Sequence, residues 1–252
     1  MKVHTLNIDS SERNTSVYAY ANSSVVTLDN PIYDISNITL VSARIPTPQL
    51  MTSATNKTFS VDGVNITLNE TNYSNGYVLA EDLDIELAPS NTHVDSVIFD
   101  EETDSLVFSN THSSGANFTL QFYDGTNWYS SNSSPETTPH QIMGFSSKNF
   151  TSTGKILRSG AINLNGPNSL VLKLTTGSDE FTQSIYTSTP FYTGHILLDG
   201  SDFVNFNGAD DKLVHHFHSG TQKMIKDVKI EFFYTSHGRL IPYDFRNQDH
   251  VL

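Results

Sequence analysis

Apolar and polar residues alternate along much of the chain, the period that half-buried β-strands require. Residues 37–46, NITLVSARIP, predict a strand with Thr39, Val41, Ala43 and Ile45 on one face. The longest example is 227–245, DVKIEFFYTSHGRLIPYDF, which predicts a strand, a Ser-His-Gly turn and a return strand. Two further short strands are predicted, at 169–174 and 194–200.

Paired strand signals separated by turn residues predict β-hairpins. In 58–68, TFSVDGVNITL, the Asp62-Gly63 pair supplies the two positive-φ positions of a tight type I′ turn. The same pair recurs at Asp124-Gly125 within 118–129. Residues 97–108, VIFDEETDSLVF, predict another hairpin, whose acidic connection is solvated.

Helical periodicity is confined to two places. A helix is predicted near residues 76 to 88, where leucines recur one turn apart and Ser74 or Asn75 can cap the start. The leucines are Leu79, Leu83 and Leu87. Residues 137–145, TTPHQIMGF, predict one short helical turn that ends at Gly144, after a polar connection at 130–139.

Many short strands with regularly spaced turns and little helix predict an all-β protein. There are more strand signals than an immunoglobulin-type sandwich needs. We therefore expect a single jelly-roll antiparallel β-sandwich with one short helix and extra hairpins. No repeat or charge break divides the sequence, so one domain is expected over residues 1–252.

Composition limits the possible partners. The net charge is −13 with only 14 scattered Lys and Arg residues, whereas nucleic-acid binding needs clustered basic residues, so direct genome binding is not expected. Cysteine is absent, which excludes disulfides and thiolate metal sites. No segment has the length and apolar character of a membrane span. Ten N-x-S/T sequons reflect an Asn-, Ser- and Thr-rich sequence, and whether they carry glycans is left open.

Three histidines, His215, His216 and His218, form the strongest candidate metal cluster. A cupin-type metal site needs a glycine six residues before a His-x-His pair and a glutamate four residues after it. Those positions hold Asp210 and Gln222. No metal ligand is therefore predicted, and the cluster is interpreted as structural, with metal binding left open as the alternative.

Other catalytic patterns are missing from the sequence. The carboxylate pairs Asp210-Asp211 and Glu101-Glu102 are adjacent, so on a strand their side chains would point apart. No nucleophile elbow, P-loop or dinucleotide fingerprint follows a predicted strand. No catalytic residue, cofactor-binding residue or cofactor is predicted, and the chain is not expected to be an enzyme.

Several stretches resemble one family, the penton and minor capsid single jelly-roll proteins of large eukaryotic double-stranded DNA viruses, which include algal giant viruses and related virophages. The relatives continue past the Asp-His pair near the end into a closing strand, whereas Leu252 ends this sequence, which leaves open how the last sheet edge is covered. The resembling stretches are LNIDSSERN (6–14), NITLVSARIP (37–46), NYSNGYVLAEDLDIEL (72–87), VIFDEETDSLVF (97–108), QIMGF (141–145) and IEFFYTSHGRLIPYDFRNQDHVL (230–252).

The resemblance implies a structural protein of an icosahedral capsid, most specifically the penton, a homopentamer at the fivefold vertices. It implies contacts with major capsid protein capsomers and other minor capsid proteins, a place in the virion, and assembly in the host cell cytoplasm. Two alternatives stay open: a hexon-associated minor capsid protein, and a virion-surface attachment module that binds glycans through Trp128, Tyr129 and Tyr123.

Overall fold

The computed structural model describes most of the chain. The described residues are 2–90, 92–112, 115–122, 137–176, 179–180, 194–208, 213–216, 222–236 and 238–252.

The described residues form 17 strands and one α-helix, with short 3-10 turns at Ser10–Glu12 and Ala88–Ser90. The helix, α1, is Gly76–Leu87. The strands are β1 Ser23–Ile35, β2 Asn37–Leu40, β3 Ser42–Pro46, β4 Thr58–Val61, β5 Val64–Thr67, β6 Ser96–Asp100, β7 Ser105–Ser109, β8 Thr119–Gln121, β9 Phe150–Thr151, β10 Ile156–Ala161, β11 Ser169–Thr176, β12 Asp179–Glu180, β13 Gly194–Leu197, β14 Phe203–Asn207, β15 Leu213–His216, β16 Gln222–Ser236 and β17 Arg239–Pro242.

The chain divides into two compact units. Unit 1 contains Met1–Gln49 and Pro167–Leu252, and unit 2 contains Leu50–Gly166. Each unit has a hydrophobic core of its own. The sequence carries no linker or composition change at either boundary, so this division is a finding of the structure, and the expectation that residues 1–252 behave as one domain stays a prediction.

Strand β16 is the centre of the large sheet in unit 1. It pairs antiparallel with β1, β11 and β17, while β13 and β12 extend the sheet beyond β11. Alternate residues of β16 are buried, as the sequence pattern predicts, because they face the core of the unit. These residues are Val228, Ile230, Phe232 and Tyr234.

Two smaller antiparallel pairs, β2 with β15 and β3 with β14, also belong to unit 1. The predicted strand at 37–46 is interrupted at Val41, whose carbonyl accepts a hydrogen bond of 2.8 Å from the Gly208 N–H. A Cβ at Gly208 would lie 2.6 Å from the Leu40 carbonyl oxygen, so this close approach requires glycine. The alternation therefore restarts after Val41: Ala43 and Ile45 are buried, whereas Val41, which the sequence pattern places on the same face, is 66% exposed.

Unit 2 contains a four-stranded sheet in the order β5-β4-β8-β9 and a three-stranded sheet in the order β10-β7-β6. Helix α1 packs against β6. Side chains from both sheets and the helix fill one core. Its most fully buried members include Phe59, Leu79, Leu83, Leu106, Phe108, Phe118 and Phe122.

Helix α1 forms where the leucine spacing predicts it. Asn75 is the N-cap, and its side chain accepts a hydrogen bond of 3.1 Å from the Val78 N–H. Gly76 lies directly against the Phe99 ring, and a Cβ at this position would overlap the ring. The leucines that predict the helix, Leu79, Leu83 and Leu87, are all buried.

The predicted turns form where they fall on described residues. Asp62 and Gly63 have φ values of 52° and 84°, as the type I′ turn between β4 and β5 requires. Near 137–145 the Met143 N–H donates to the Pro139 carbonyl in a single helical turn, which ends at Gly144 with φ 74°. The second pair, Asp124-Gly125, lies outside the described residues.

The fold is an all-β, antiparallel jelly-roll sandwich with one α-helix among the described residues, which confirms the fold class predicted from the sequence. The sequence predicts extra hairpins beside the jelly roll. In the structure, the hairpins β4–β5 and β6–β7 belong to unit 2, which has a hydrophobic core of its own. Within the described residues, no helix is long and apolar enough to cross a membrane.

Candidate functional site

The histidine cluster is only partly placed. Strand β15 sets the backbone of His215 and His216 opposite Ile38 and Asn37 of β2, while His218 lies outside the described residues. Within the part of the chain that the structure describes, no group of three or more His, Asp or Glu side chains could hold a metal ion.

The other residues singled out from the sequence do not assemble into a site. Glu101 and Glu102 lie in the turn between β6 and β7, both exposed, and the Glu101 carboxylate accepts a hydrogen bond of 3.0 Å from the Tyr77 hydroxyl. The remaining candidates, Trp128, Tyr129, Tyr123, Asp210 and Asp211, lie outside the described residues.

Among the described residues of unit 1, a polar arrangement joins segments that are far apart in the sequence. We call it the terminal clasp, and it consists of residues 8–13, Arg44 and residues 249–252. The Ile8 N–H and carbonyl exchange hydrogen bonds of 3.0 and 2.9 Å with Leu252, and the Ser10 N–H donates to the His250 carbonyl at 3.0 Å.

On its other side, the C-terminal segment pairs with β3. Val251 and Arg44 exchange backbone hydrogen bonds of 3.0 and 2.9 Å. Val251 also forms an antiparallel bridge with Asp9. The segment 249–252 therefore lies between residues 8–10 and β3, and it pairs with the edge of β3 at Arg44.

The carboxylate of Asp249 is the polar centre of the clasp. It accepts hydrogen bonds from the Ser10 hydroxyl at 2.8 Å and from Arg13 Nη1 at 2.6 Å. The Arg13 side chain is only 8% exposed and also donates to the carbonyl oxygens of Ser10 and Tyr18, at 2.7 and 3.2 Å. These charge-assisted bonds, between a largely buried guanidinium and a carboxylate that is 40% exposed, help to fix the position of the segment 249–252.

His250 is the buried side chain of the clasp, at 1% exposure. Its Nε2 lies 2.9 Å from the Ala21 carbonyl oxygen, which can only accept, so Nε2 carries the proton. The ring centroid lies 4.6 Å from that of Phe232 and 5.0 Å from that of Phe245. Nδ1 is buried without a hydrogen-bond partner. Burial lowers the pKa of His250, against the opposing effects of the Ala21 carbonyl and Asp249.

The clasp contains the residue types of a nucleophilic triad, namely Ser10, Asp249 and His250, but not its hydrogen bonds. In such a triad the hydroxyl donates to the imidazole and the carboxylate orients the imidazole. Here the Ser10 hydroxyl donates directly to Asp249, and the imidazole donates to Ala21. The arrangement holds chain segments together and does not activate the Ser10 hydroxyl.

Sequence reasoning did not identify the clasp as a unit, although its parts lie in stretches that carry the family resemblance. Residues 8–13 belong to LNIDSSERN, Arg44 to NITLVSARIP, and residues 249–252 to the closing stretch. Ser10 and Asp249 are 239 residues apart in sequence, so no local pattern could pair them. The one available signal was that polar motifs occur near both ends of the chain.

Comparison with known proteins identifies no family for the chain. No protein-family model matches it, and no curated protein matches it. Among solved structures, the crystal structure of SeMet-labeled mavirus penton protein is similar with a TM-score of 0.37 and 9% sequence identity, covering 98% of this chain and 96% of that chain. Likeness at this level leaves the function to be inferred from the chain itself.

Proposed function

We propose that the chain is a structural protein of an icosahedral virus capsid, and specifically the penton, with five copies around each fivefold vertex. The observation that supports this proposal is the terminal clasp. Three stretches that resemble capsid relatives, 6–14, 37–46 and 230–252, are far apart in sequence and contribute residues to one hydrogen-bonded arrangement. Residues that maintain a shared fold are expected to contact one another in this way.

A ring of five identical subunits needs heterologous contacts, in which one patch of a subunit meets a different patch of the next. The proposed partners are therefore further copies of this chain, the capsomers of the major capsid protein around the vertex, and other minor capsid proteins. The proposed location is the virion, after assembly in the host cytoplasm. In this role the chain acts through its surfaces and not through catalysis.

The net charge of −13 affects how such a ring forms. Like-charged subunits repel one another at low ionic strength, and salt screens this repulsion over about 10 Å at 0.1 M. We therefore expect the isolated protein to assemble weakly in dilute, low-salt solution. A stable pentamer is expected only where surrounding capsomers hold the subunits together.

Native mass spectrometry of the purified chain, alone and with the major capsid protein of the same virus, tests this proposal. The expected species are the 28.0 kDa monomer in dilute low-salt buffer and a fivefold multiple of that mass when the capsomers are present. A hexon-associated role predicts a monomer bound to capsomers with no fivefold species. Failure to bind capsomers in any form would contradict a capsid role.

A further inference from the structure

We propose that the terminal clasp is a proton-operated latch: protonation of His250 releases residues 249–252 from residues 8–13 and Arg44 while the rest of the fold stays intact. This inference concerns the chain by itself and does not depend on the capsid role.

The geometry leaves one place for the incoming proton. Nε2 already donates its proton to the Ala21 carbonyl, so protonation can occur only at Nδ1. Nδ1 is buried and has no acceptor in reach, so the new N–H would be an unsatisfied donor next to a new charge. An unsatisfied buried donor costs about 1–3 kcal/mol, and more when it is charged. The neighbouring rings of Phe232 and Phe245 offer a cation–π contribution of at most about 0.5–2 kcal/mol, which offsets only part of this cost.

The charged groups around His250 do not replace the missing acceptor. Asp9 and Arg13 face it from the N-terminal segment, and Asp249 precedes it in the chain. The carboxylate of Asp249 is already bound by Ser10 and Arg13, and the largely buried Arg13 guanidinium repels a second positive charge. Strand β16 and the segment after β17 contribute aromatic rings, those of Phe232 and Phe245.

The direction of the pH effect follows from the lowered pKa. Above the ordinary histidine value of 6.5 the imidazole is neutral in both the closed and the released clasp, so the clasp keeps its full stability. Below 6.5 the released form binds a proton that the closed form still excludes. The closed-to-released ratio then falls, by about fivefold over the first pH unit and approaching tenfold per unit below that, until the pKa of the closed form is reached.

Release can remain local because only a few backbone pairs hold residues 249–252 in place. Residues 249–252 are held by backbone pairs with Ile8, Ser10 and Arg44, and none of these pairs belongs to the ladders of β16. Local openings of this kind occur at free energies below that of global unfolding. Release would expose the outer edge of β3 at Arg44, an unpaired edge that can accept another strand.

Amide hydrogen exchange of the full chain at pH 7.5, 6.5 and 5.5, corrected for the intrinsic exchange rate, tests the latch. Peptides covering 8–13 and 249–252 should lose up to about fivefold of protection between pH 6.5 and 5.5, and up to about tenfold between pH 7.5 and 5.5, while a peptide covering 97–108 in unit 2 should keep its protection. The variant His250→Gln keeps an N–H donor for Ala21 but does not titrate, so its clasp protection should be independent of pH. The matched control His112→Gln removes an imidazole whose side chain is 77% exposed, and it should retain the wild-type pH dependence.

Unchanged clasp protection at pH 5.5 in the wild type would overturn the proposal, and so would an equal pH-dependent loss in His250→Gln. If His250→Gln does not fold, the latch can still be tested in the wild-type protein, by following the titration of the His250 ring by NMR with isotope-labelled histidine. The latch predicts that the His250 ring titrates below 6.5, together with the loss of clasp protection. A ring that titrates at or above 6.5 while the clasp stays protected would refute it.

Discussion

The substitution Leu83→Ala tests how the two units depend on each other. Leu83 on α1 is 0% exposed, in the core of unit 2. Truncating a buried leucine to alanine costs about 2–5 kcal/mol, because the transfer free energy is lost and a cavity remains. Ile85 on the same helix is 60% exposed, so Ile85→Ala is a matched control with an expected change of about 0.5 kcal/mol or less.

Chain connectivity predicts that this loss reaches unit 1. Unit 2 is inserted between the two segments of unit 1, so if unit 2 unfolded alone, unit 1 would have to close a flexible loop of roughly 120 residues. The closure costs about 4 kcal/mol by the logarithmic loop-length relation, a large part of the total stability of about 5–15 kcal/mol that is usual for a domain. We therefore expect one unfolding transition, as for a single domain over residues 1–252.

Scanning calorimetry combined with hydrogen exchange measures this coupling. Leu83→Ala should lower the temperature of a single transition, and it should reduce the protection of the most stable amides equally in 97–108 of unit 2 and 228–234 of unit 1. Two resolved transitions, or a loss of protection confined to residues 50–166, would refute the reasoning and show two independent domains.

Three further outcomes are expected. Truncation after Tyr234 removes β17 and bares the edge of β16, so we expect no soluble protein, and a soluble truncation that melts cooperatively would show that β17 is dispensable. Gly76→Ala places a methyl group on the Phe99 ring and should cost about 1–3 kcal/mol in urea unfolding, whereas an unchanged midpoint would show that the ring moves aside freely. Elemental analysis of untagged protein should find no stoichiometric zinc, iron or manganese, and about one metal ion per chain would revive the metal interpretation of His216 and His218.

Elements whose conformation is determined by a few neighbouring residues could be predicted from local sequence patterns. The Asp62-Gly63 hairpin follows from turn chemistry, α1 from leucine spacing and an Asn75 cap, and β16 from strict alternation. In each case the residues that determine the conformation are neighbours in sequence. Partners elsewhere in the chain only reinforce the local preference.

Elements whose conformation depends on distant partners were not predictable. No strand is indicated at β1, because Asp29, Asn30 and Pro31 are typical turn residues. In the structure these residues lie where the register of the ladder between β1 and β16 shifts, between Thr27 and Ile32. Pro31 has no N–H to donate, and this is tolerated because the ladder is irregular there. The interruption at Val41 likewise depends on Gly208, far away in sequence.

The clasp could not be predicted from any single stretch of the sequence, because its partners are far apart along the chain. No local pattern around His250 indicates that its side chain is buried. Its burial depends on Phe232 and Phe245 and on the distant Ala21 carbonyl, 229 residues earlier in the chain. The stretches 6–14 and 230–252 resemble the capsid family, but the sequence does not show that they pair with each other. Their pairing is seen only in the structure.

The most direct test of the proposed role is a cryo-electron microscopy reconstruction of the virion that contains this chain. The account predicts density for five copies at every fivefold vertex, with most contacts of each copy made to its own kind and to the adjacent major capsid protein. Density for the chain away from the fivefold axes, for example beneath hexons on the inner surface of the shell, would contradict the penton assignment.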